Sequence, residues 1–356
     1  MKVSAIICEF NPLHTGHQRI INYAKSISDK VICIMSGNFV QRGMPACAEK
    51  HLRASHAVMC GADLVIELPT IFSCSSAQDF ATAGVAIAEQ LQADYLVFGS
   101  ESGDIIKLKE CAEDLISNEN LPSIKEFLAQ GMSYPKAIAM AHGREELKLP
   151  NNILAIEYLK AIRKLNAKIE PTTIKREGEY DSVEEQAYCS SHALRQRKEL
   201  RDDYSFPFVT KDVNDEIEQK YKNFASIFMS TQSAADLSNI VGISEGIENR
   251  LITMAKNDDF DTYMSEIKTK RYTWVKLQRI ILCAILNITK KNMEDAKIQS
   301  LPLVPLAANN DSLSLLQRIP DAKPNNTITT ITQKADRLYQ ALSGITPPVK
   351  LMKIKV

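Results

Sequence analysis

Two histidines bracket a glycine in His14-Thr15-Gly16-His17, directly behind the apolar run Val3–Cys8 and the turn pair Asn11-Pro12. With 6 His and 13 Gly in 356 residues, an H-x-G-H pattern arises by chance in about 0.4% of such chains, which favours a chemical reading over an accidental helix cap. Imidazoles at the first turn of a helix, beside the unpaired N–H groups of its start, gather donors on one point, and a triphosphate is a ligand that needs them. Such a site suits nucleotidyl transfer, which asks a protein to position an α-phosphate and to stabilise the charge developing on the departing pyrophosphate. His14 and His17 would donate to phosphate oxygens, and Gly16 would let the backbone come close.

Further candidates stand where strands end and helices begin. Lys175 and Arg176 close a strand-like segment over 169–176, and Ser190 and Arg195 open the helix after Cys189. Guanidinium forks match phosphate geometry, so Arg176, Ser190 and Arg195 are candidates for the β- and γ-phosphates. Ser190 as a plain helix cap and Arg195 as a solvated charge fit the sequence as well. Gly99 and Gly103 flank a turn at which backbone can approach a ligand. Arg42 in the loop 39–45 falls beside the same edge, as do Lys50 and Arg53 on the next helix, although single charges of this kind usually face solvent. His51 and His56 lack a metal-like partner and read as core or surface residues. Asp63 and Asp94 begin strands and so sit at the wrong edge; Glu67 and Glu101 end strands at the right one, with Glu101 the better placed. Between 268 and 279, five basic residues (Lys268, Lys270, Arg271, Lys276, Arg279) interleave with Tyr272 and the single Trp274. That mixture suits an RNA backbone and unstacked bases or, equally, an ordinary helix start with a buried Trp.

The elements that must position these residues follow from the apolar periodicity. Strands are expected over 3–8, 30–35, 63–68, 94–98 and 169–176, and helices over 15–28, 49–60, 77–90 and 150–164. The pieces G-A-D-L-V-I-E-L-P and Q-A-D-Y-L-V-F-G-S read as successive helix-to-strand joints of one parallel sheet, and their unbroken apolar runs require helices on both faces. The expected fold is therefore α/β, a doubly wound parallel, Rossmann-like sheet with its ligand at the carboxyl ends of the strands. From about Val213 helices dominate, over 216–229, 244–256, 262–268 and 274–288, and read as a separate helical module. The Pro- and Asn-rich tail beyond 300 takes no assigned fold.

Lys+Arg and Asp+Glu balance at 43 each, so any contact with nucleic acid must come from a local patch. The cysteines at 8, 33, 47, 60, 74, 111, 189 and 283 form no C-x-x-C pair and read as small core residues of a reduced protein. No apolar run suits a signal peptide or a membrane span, so the expected setting is the cytoplasm, without membrane contact. These motifs do not encode an oligomeric state.

Several longer stretches resemble one family. E-F-N-P-L-H-T-G-H (9–17), M-S-G-N-F-V-Q-R-G-M-P-A (35–46), A-D-L-V-I-E-L-P (62–69), F-G-S-E-S-G-D-I (98–105), P-N-N-I-L-A-I-E-Y-L (150–159), I-K-R (174–176) and K-R-Y-T-W-V-K-L-Q-R-I-I-L (270–282) resemble the tRNA(Met) cytidine acetate ligases of the H-x-G-H nucleotidyltransferase superfamily. The resemblance covers residues 1 to 295. It implies activation of acetate with ATP to acetyl-adenylate, then transfer of the acetyl group to the exocyclic amine of the wobble cytidine in elongator tRNA(Met), with Mg²⁺ accompanying ATP. Carried over by position, the ATP segment runs from Ile7 through Cys8, Glu9, Phe10, Asn11, Pro12, His14, Gly16 and His17 to Ile20, joined by Gly99, Asn151 or Asn152, and Arg176. The family's serine-rich phosphate motif stands here as C-S-S-H-A-L-R, with Cys189 in place of the first serine and Ser190 and Arg195 in register. The implied division is an ATP-binding nucleotidyltransferase domain over 1–200, a tRNA-binding helical domain over 201–296 and a divergent C-terminal segment over 297–356. Two other readings stay open: an adenylyltransferase of a small phosphorylated metabolite, and a non-catalytic RNA-binding relative.

Overall fold

Seven strands form one sheet in a computed structural model of the chain, which describes all residues except 120, 177–189, 256–258, 320–325, 347–351 and 355–356. The strands are β1 (Val3–Cys8), β2 (Lys30–Ser36), β3 (Leu64–Leu68), β4 (Tyr95–Ser100), β5 (Glu170–Lys175), β6 (Pro305–Asn309) and β7 (Met352–Ile354), in the order β5-β4-β1-β2-β3-β6-β7. The first five pair in parallel throughout. The chain runs outward from β1 to β2 and β3, then returns to place β4 on the other side of β1. A crevice therefore opens at the carboxyl ends of β1 and β4, the switch point where ligands enter such sheets.

The two similar joints noted in the sequence perform one task. Asp63 accepts the N–H of Val31 (2.9 Å) and Asp94 that of Val3 (2.8 Å), so each carboxylate satisfies the opening donor of the neighbouring strand. Lys30 and Lys2 pair with the same two carboxylates at 2.9 and 2.8 Å. Both aspartates thus belong to the amino edge, away from the crevice.

Helices cover both faces, as the unbroken apolar runs require. Among them are α1 (Thr15–Ile27), α2 (Lys50–Met59), α3 (Ala77–Gln90) and α4 (Pro150–Leu165). α3 lies close on β1 because Gly84 has no side chain: a Cβ there would sit 2.5 Å from Ile7 Cδ1. In the helical part, α5 (Ile217–Ser230) and α6 (Trp274–Leu286) share one buried cluster with a face of the sheet, including Ile7, Phe80, Tyr221 and Ile281. The helical module expected from the sequence therefore does not have a core of its own.

The tail joins the sheet. β6 pairs antiparallel with β3, β7 pairs parallel with β6, and the last helix, α7 (Asn326–Ser343), packs against the short helix Thr70–Ser73 and against α5. Buried charges fasten it: Lys50 on α2 bonds Glu67 on β3 (2.8 and 2.9 Å) and Asp336 on α7 (2.6 Å). The described cysteines are all free thiols, and Cys189 lies outside the described residues. No helix among the described residues is long and apolar enough to cross a membrane.

Candidate active site

The loop from Glu9 to Leu13 carries the chain from β1 into α1, and His14 is the residue that caps the helix. Its backbone is extended, and its ring nitrogen Nδ1 accepts the Gly16 N–H at 3.1 Å. An acceptor at Nδ1 leaves the ring proton on Nε2, so His14 presents one N–H donor. Gly16 is required for this contact, because a Cβ there would stand 2.9 Å from His14 Cε1. The glycine makes room for the imidazole. His17 lies one turn on, its ring centroid 3.8 Å from that of His14 and 5.0 Å from Phe10 in an edge contact. Burial, then the Arg176 charge, lowers the pKa of His14 to about 3; burial, His14 and Arg176 hold His17 well below the usual histidine range. Both rings are therefore neutral donors at neutral pH, and His17 Nδ1 is buried with no partner among the described residues.

Two later segments, the helix Ser191–Gln196 and the stretch at Ser205, hold the loop by its carbonyls. Arg195 donates to Asn11 O, Ser191 to Pro12 O (3.1 Å) and Ser205 to Leu13 O (2.7 Å). From the other side Arg53, 1% exposed, donates to Glu9 O (2.5 Å), Ala48 O (2.9 Å) and Ser36 O (3.1 Å), joining the ends of β1 and β2. Arg53 is thus a buried clamp, neither a phosphate ligand nor a solvated charge. Lys50 is likewise consumed by Glu67 and Asp336. His51 pairs with Glu49 (2.9 Å) and His56 with Asp212 (2.8 Å), in keeping with their reading as non-ligands. Glu9 accepts the Gln41 N–H at 2.7 Å and so draws the loop 39–45 over the crevice.

Opposite the histidines, Arg176 Nη1 donates to Asn151 Oδ1 at 2.7 Å, and Gly99 leaves the space that the arginine stem crosses. Glu101 accepts the N–H of Asn151 (3.0 Å) and of Asn152 (2.7 Å), anchoring the start of α4. Asn152, 1% exposed, returns the favour to the backbone, its Oδ1 accepting from Glu101 N (3.0 Å) and Ser102 N (3.2 Å). Asn151 therefore faces the crevice, while Asn152 and Glu101 are structural.

These residues surround a cavity of about 220 Å³. Its walls include Ile7, Cys8, Glu9, Phe10, Asn11, His14, His17, Gly99, Asn151, Arg176, Ser190 and Arg195. Four candidates lie outside the lining: Pro12, Gly16, Asn152 and Lys175, the last exposed at the end of β5. Ser190 lines the wall and also caps the helix Ser191–Gln196 through Ala193 N (3.2 Å), so the cap reading and the site reading coincide. Sequence reasoning passed over Val40, Phe80, Phe98, Leu154 and Tyr158, which also line the wall. Only the last pair had a local signal, the helical spacing Asn151, Leu154, Tyr158 on one face of α4.

The basic and aromatic run does not form one exposed face. Tyr272 is 4% exposed and donates to Ser244 O (2.6 Å), with Lys276 Nζ 3.8 Å from its ring centroid. Arg271 binds Glu245 and Leu128 O, and Arg279 binds Ser75 O at 3.0 Å. Trp274 is half-buried at the start of α6. Lys268 and Lys270 are the exposed cations of the run. Among the described residues Tyr272, Arg271 and Arg279 of the run are thus engaged within the fold.

A model of the HIGH Nucleotidyl Transferase family matches residues 1–347. Proteins of Staphylococcus aureus strains JH9 and JH1, each a tRNA(Met) cytidine acetate ligase, are 36% identical over 371 residues, spanning 97% of this chain and 96% of theirs. Thermotoga maritima TmcAL bound with alpha-thio ATP superposes with a TM-score of 0.87 at 25% identity, covering 99% of this chain and 100% of that one. The apo form I of the same protein gives 0.89 at 24% identity over the whole of both chains.

Proposed function

The chain belongs to the tRNA(Met) cytidine acetate ligase family of HIGH nucleotidyl transferases, and from that premise we propose that it joins acetate to a cytidine of tRNA(Met) at the expense of ATP. The observation that carries this reading is the pair of neutral imidazoles facing Arg176 and Asn151 across the switch-point cavity. In the first step a carboxylate oxygen of acetate attacks the α-phosphorus of ATP; the bond to the β-phosphate oxygen breaks and pyrophosphate leaves with the electron pair, giving acetyl-adenylate. His14 Nε2–H and His17 donate to the oxygens that gain charge, and Arg176 supplies the fixed cation. In the second step the exocyclic amine of the wobble cytidine of elongator tRNA(Met) attacks the acyl carbon, AMP departs and the amine loses one proton. The anhydride is already activated, so no side-chain nucleophile is required. The base must leave its stack to reach the cavity, and Lys268 and Lys270 are the cations free to meet the RNA backbone.

Mg²⁺ would supply charge neutralisation on the triphosphate. Among the described residues no group of three His, Cys, Asp or Glu side chains could hold a metal, so the ion would ride on phosphates and water. A tRNA substrate supports a cytoplasmic setting for the reaction.

The test separates the half-reactions. Incubation with ATP, labelled acetate and elongator or initiator tRNA(Met) should yield adenylate with either and labelled RNA with the elongator alone; failure to form either product would sink the ligase reading. Transfer of AMP to a phosphorylated metabolite without acetate would favour the small-substrate alternative. His17→Ala should lower adenylate formation by about 10²-fold or more at unchanged thermal midpoint, and near-normal turnover would refute its phosphate role.

A further inference from the structure

Beyond the histidines the cavity ends in an apolar recess that phosphate chemistry does not call for. Ile7, Val40, Phe80 and Phe98 are 8%, 3%, 2% and 5% exposed, belong to one buried cluster on one face of the sheet, and all contribute to the cavity wall. Tyr158 stands among them, 3% exposed, its ring centroid 5.6 Å from that of Phe98. Other buried tyrosines spend their hydroxyls on carbonyls: Tyr263 on Leu251 O (3.1 Å) and Tyr339 on Ala46 O (3.0 Å). The Tyr158 hydroxyl has no hydrogen-bond partner among the described residues and lies on the cavity wall; Tyr221, which also lacks one, is not part of that wall. A phenylalanine would pack as well, so a hydroxyl on the cavity wall with no partner among the described residues is placed to meet a ligand. Burial raises its pKa, with Cys8 and Glu9 close enough to add to the effect, so it stays a neutral donor beside the end of β1.

We propose that Tyr158 and this recess form the acyl subsite, which takes a short unbranched monocarboxylate, the hydroxyl donating to a carboxylate oxygen and the hydrocarbon end packing on Ile7, Phe80 and Phe98. The proposal rests on the ligase reading and deepens it. The cavity's size sets the selectivity: Phe80 and Ile7 close the recess, and Gly84 behind Ile7 keeps that side chain where it is. Glu9, the one carboxylate among the described residues of the wall, is turned to the Gln41 N–H and flanked by the charges of Arg195, Arg53 and Arg42, which limits its repulsion of an anionic guest.

The experiment is carboxylate-dependent exchange of labelled pyrophosphate into ATP, which reads the first step without RNA. Wild-type exchange that no carboxylate stimulates would overturn the ligase reading and the subsite together. Where acetate does stimulate it, Tyr158→Phe should raise the KM for acetate roughly tenfold and leave that for ATP within about twofold. Phe80→Ala should raise kcat/KM for propionate and butyrate relative to acetate by roughly tenfold. An unchanged acetate KM in the folded Tyr158→Phe protein would overturn the proposal. So would a rise in the KM for ATP alone, which would put the adenine in the recess.

Discussion

Neutral imidazoles define the residue scale, and their neutrality has a thermodynamic cost with a definite sign. Folding lowers the pKa of His14 from 6.5 to about 3, so between these values the unfolded chain binds the extra proton and the folded one does not. Stability from this group is complete above about 6.5 and is lost as pH falls towards 3, at about 1.4 kcal/mol per pH unit. The urea midpoint should therefore fall more steeply between pH 6 and pH 4 in the wild type than in His14→Gln; parallel slopes would mean that the ring is not held neutral. Much of this constellation was legible, because H-x-G-H and the terminal I-K-R are local patterns whose spacing alone delivers the side chains. What escaped was the division of labour. Gly16 serves the His14 ring, Arg195 holds the Asn11 carbonyl, and Asn151 rather than Asn152 faces the cavity. None of these follows from spacing: the last two depend on partners brought in from other elements, and the first on how the His14 ring folds back on its own helix start.

At the scale of elements, the contact between α3 and β1 decides the shape of the recess. Gly84→Ala would drive a methyl to 2.5 Å from Ile7 Cδ1 and force that side chain to shift. Overpacking of this kind costs about 1–3 kcal/mol, and equilibrium urea unfolding should register it; a variant as stable as wild type would show that the helix can move away instead. The periodicity foretold β1 to β5 and α1 to α6 within two residues, because buried parallel strands are continuous apolar runs. It missed β6 and β7. Pro305-Leu306-Ala307-Ala308-Asn309 opens on a proline and is short, so its only persuasive feature is a partner 244 residues away, Leu64 opposite Ala308 in a counting of register that no window reveals. The run at 268–279 divides for the converse reason. Charge and aromatic content suggested a surface, whereas Tyr272 and Arg279 are committed inward.

The whole molecule is held across its length by the buried ion group that joins α2, β3 and α7. Lys50 and Glu67 have side chains only 6% and 4% exposed, and Asp336 completes the set. Lys50→Met would leave two facing carboxylates without their cation, a change expected to cost about 3–5 kcal/mol; thermal unfolding of the variant tests it, and a loss well under 1 kcal/mol would show the group to be dispensable. That three-way tie, with β6 lying antiparallel against β3, means the catalytic sheet is not finished by the part of the chain that carries its chemistry. Synthesis on a ribosome proceeds from the amino end, so His14, Arg176 and Tyr158 are all made while the outer edge of β3 still has open hydrogen-bonding groups. A nascent chain halted before Pro305 would hold every residue of the cavity and yet expose a strand edge ready to pair with a stranger.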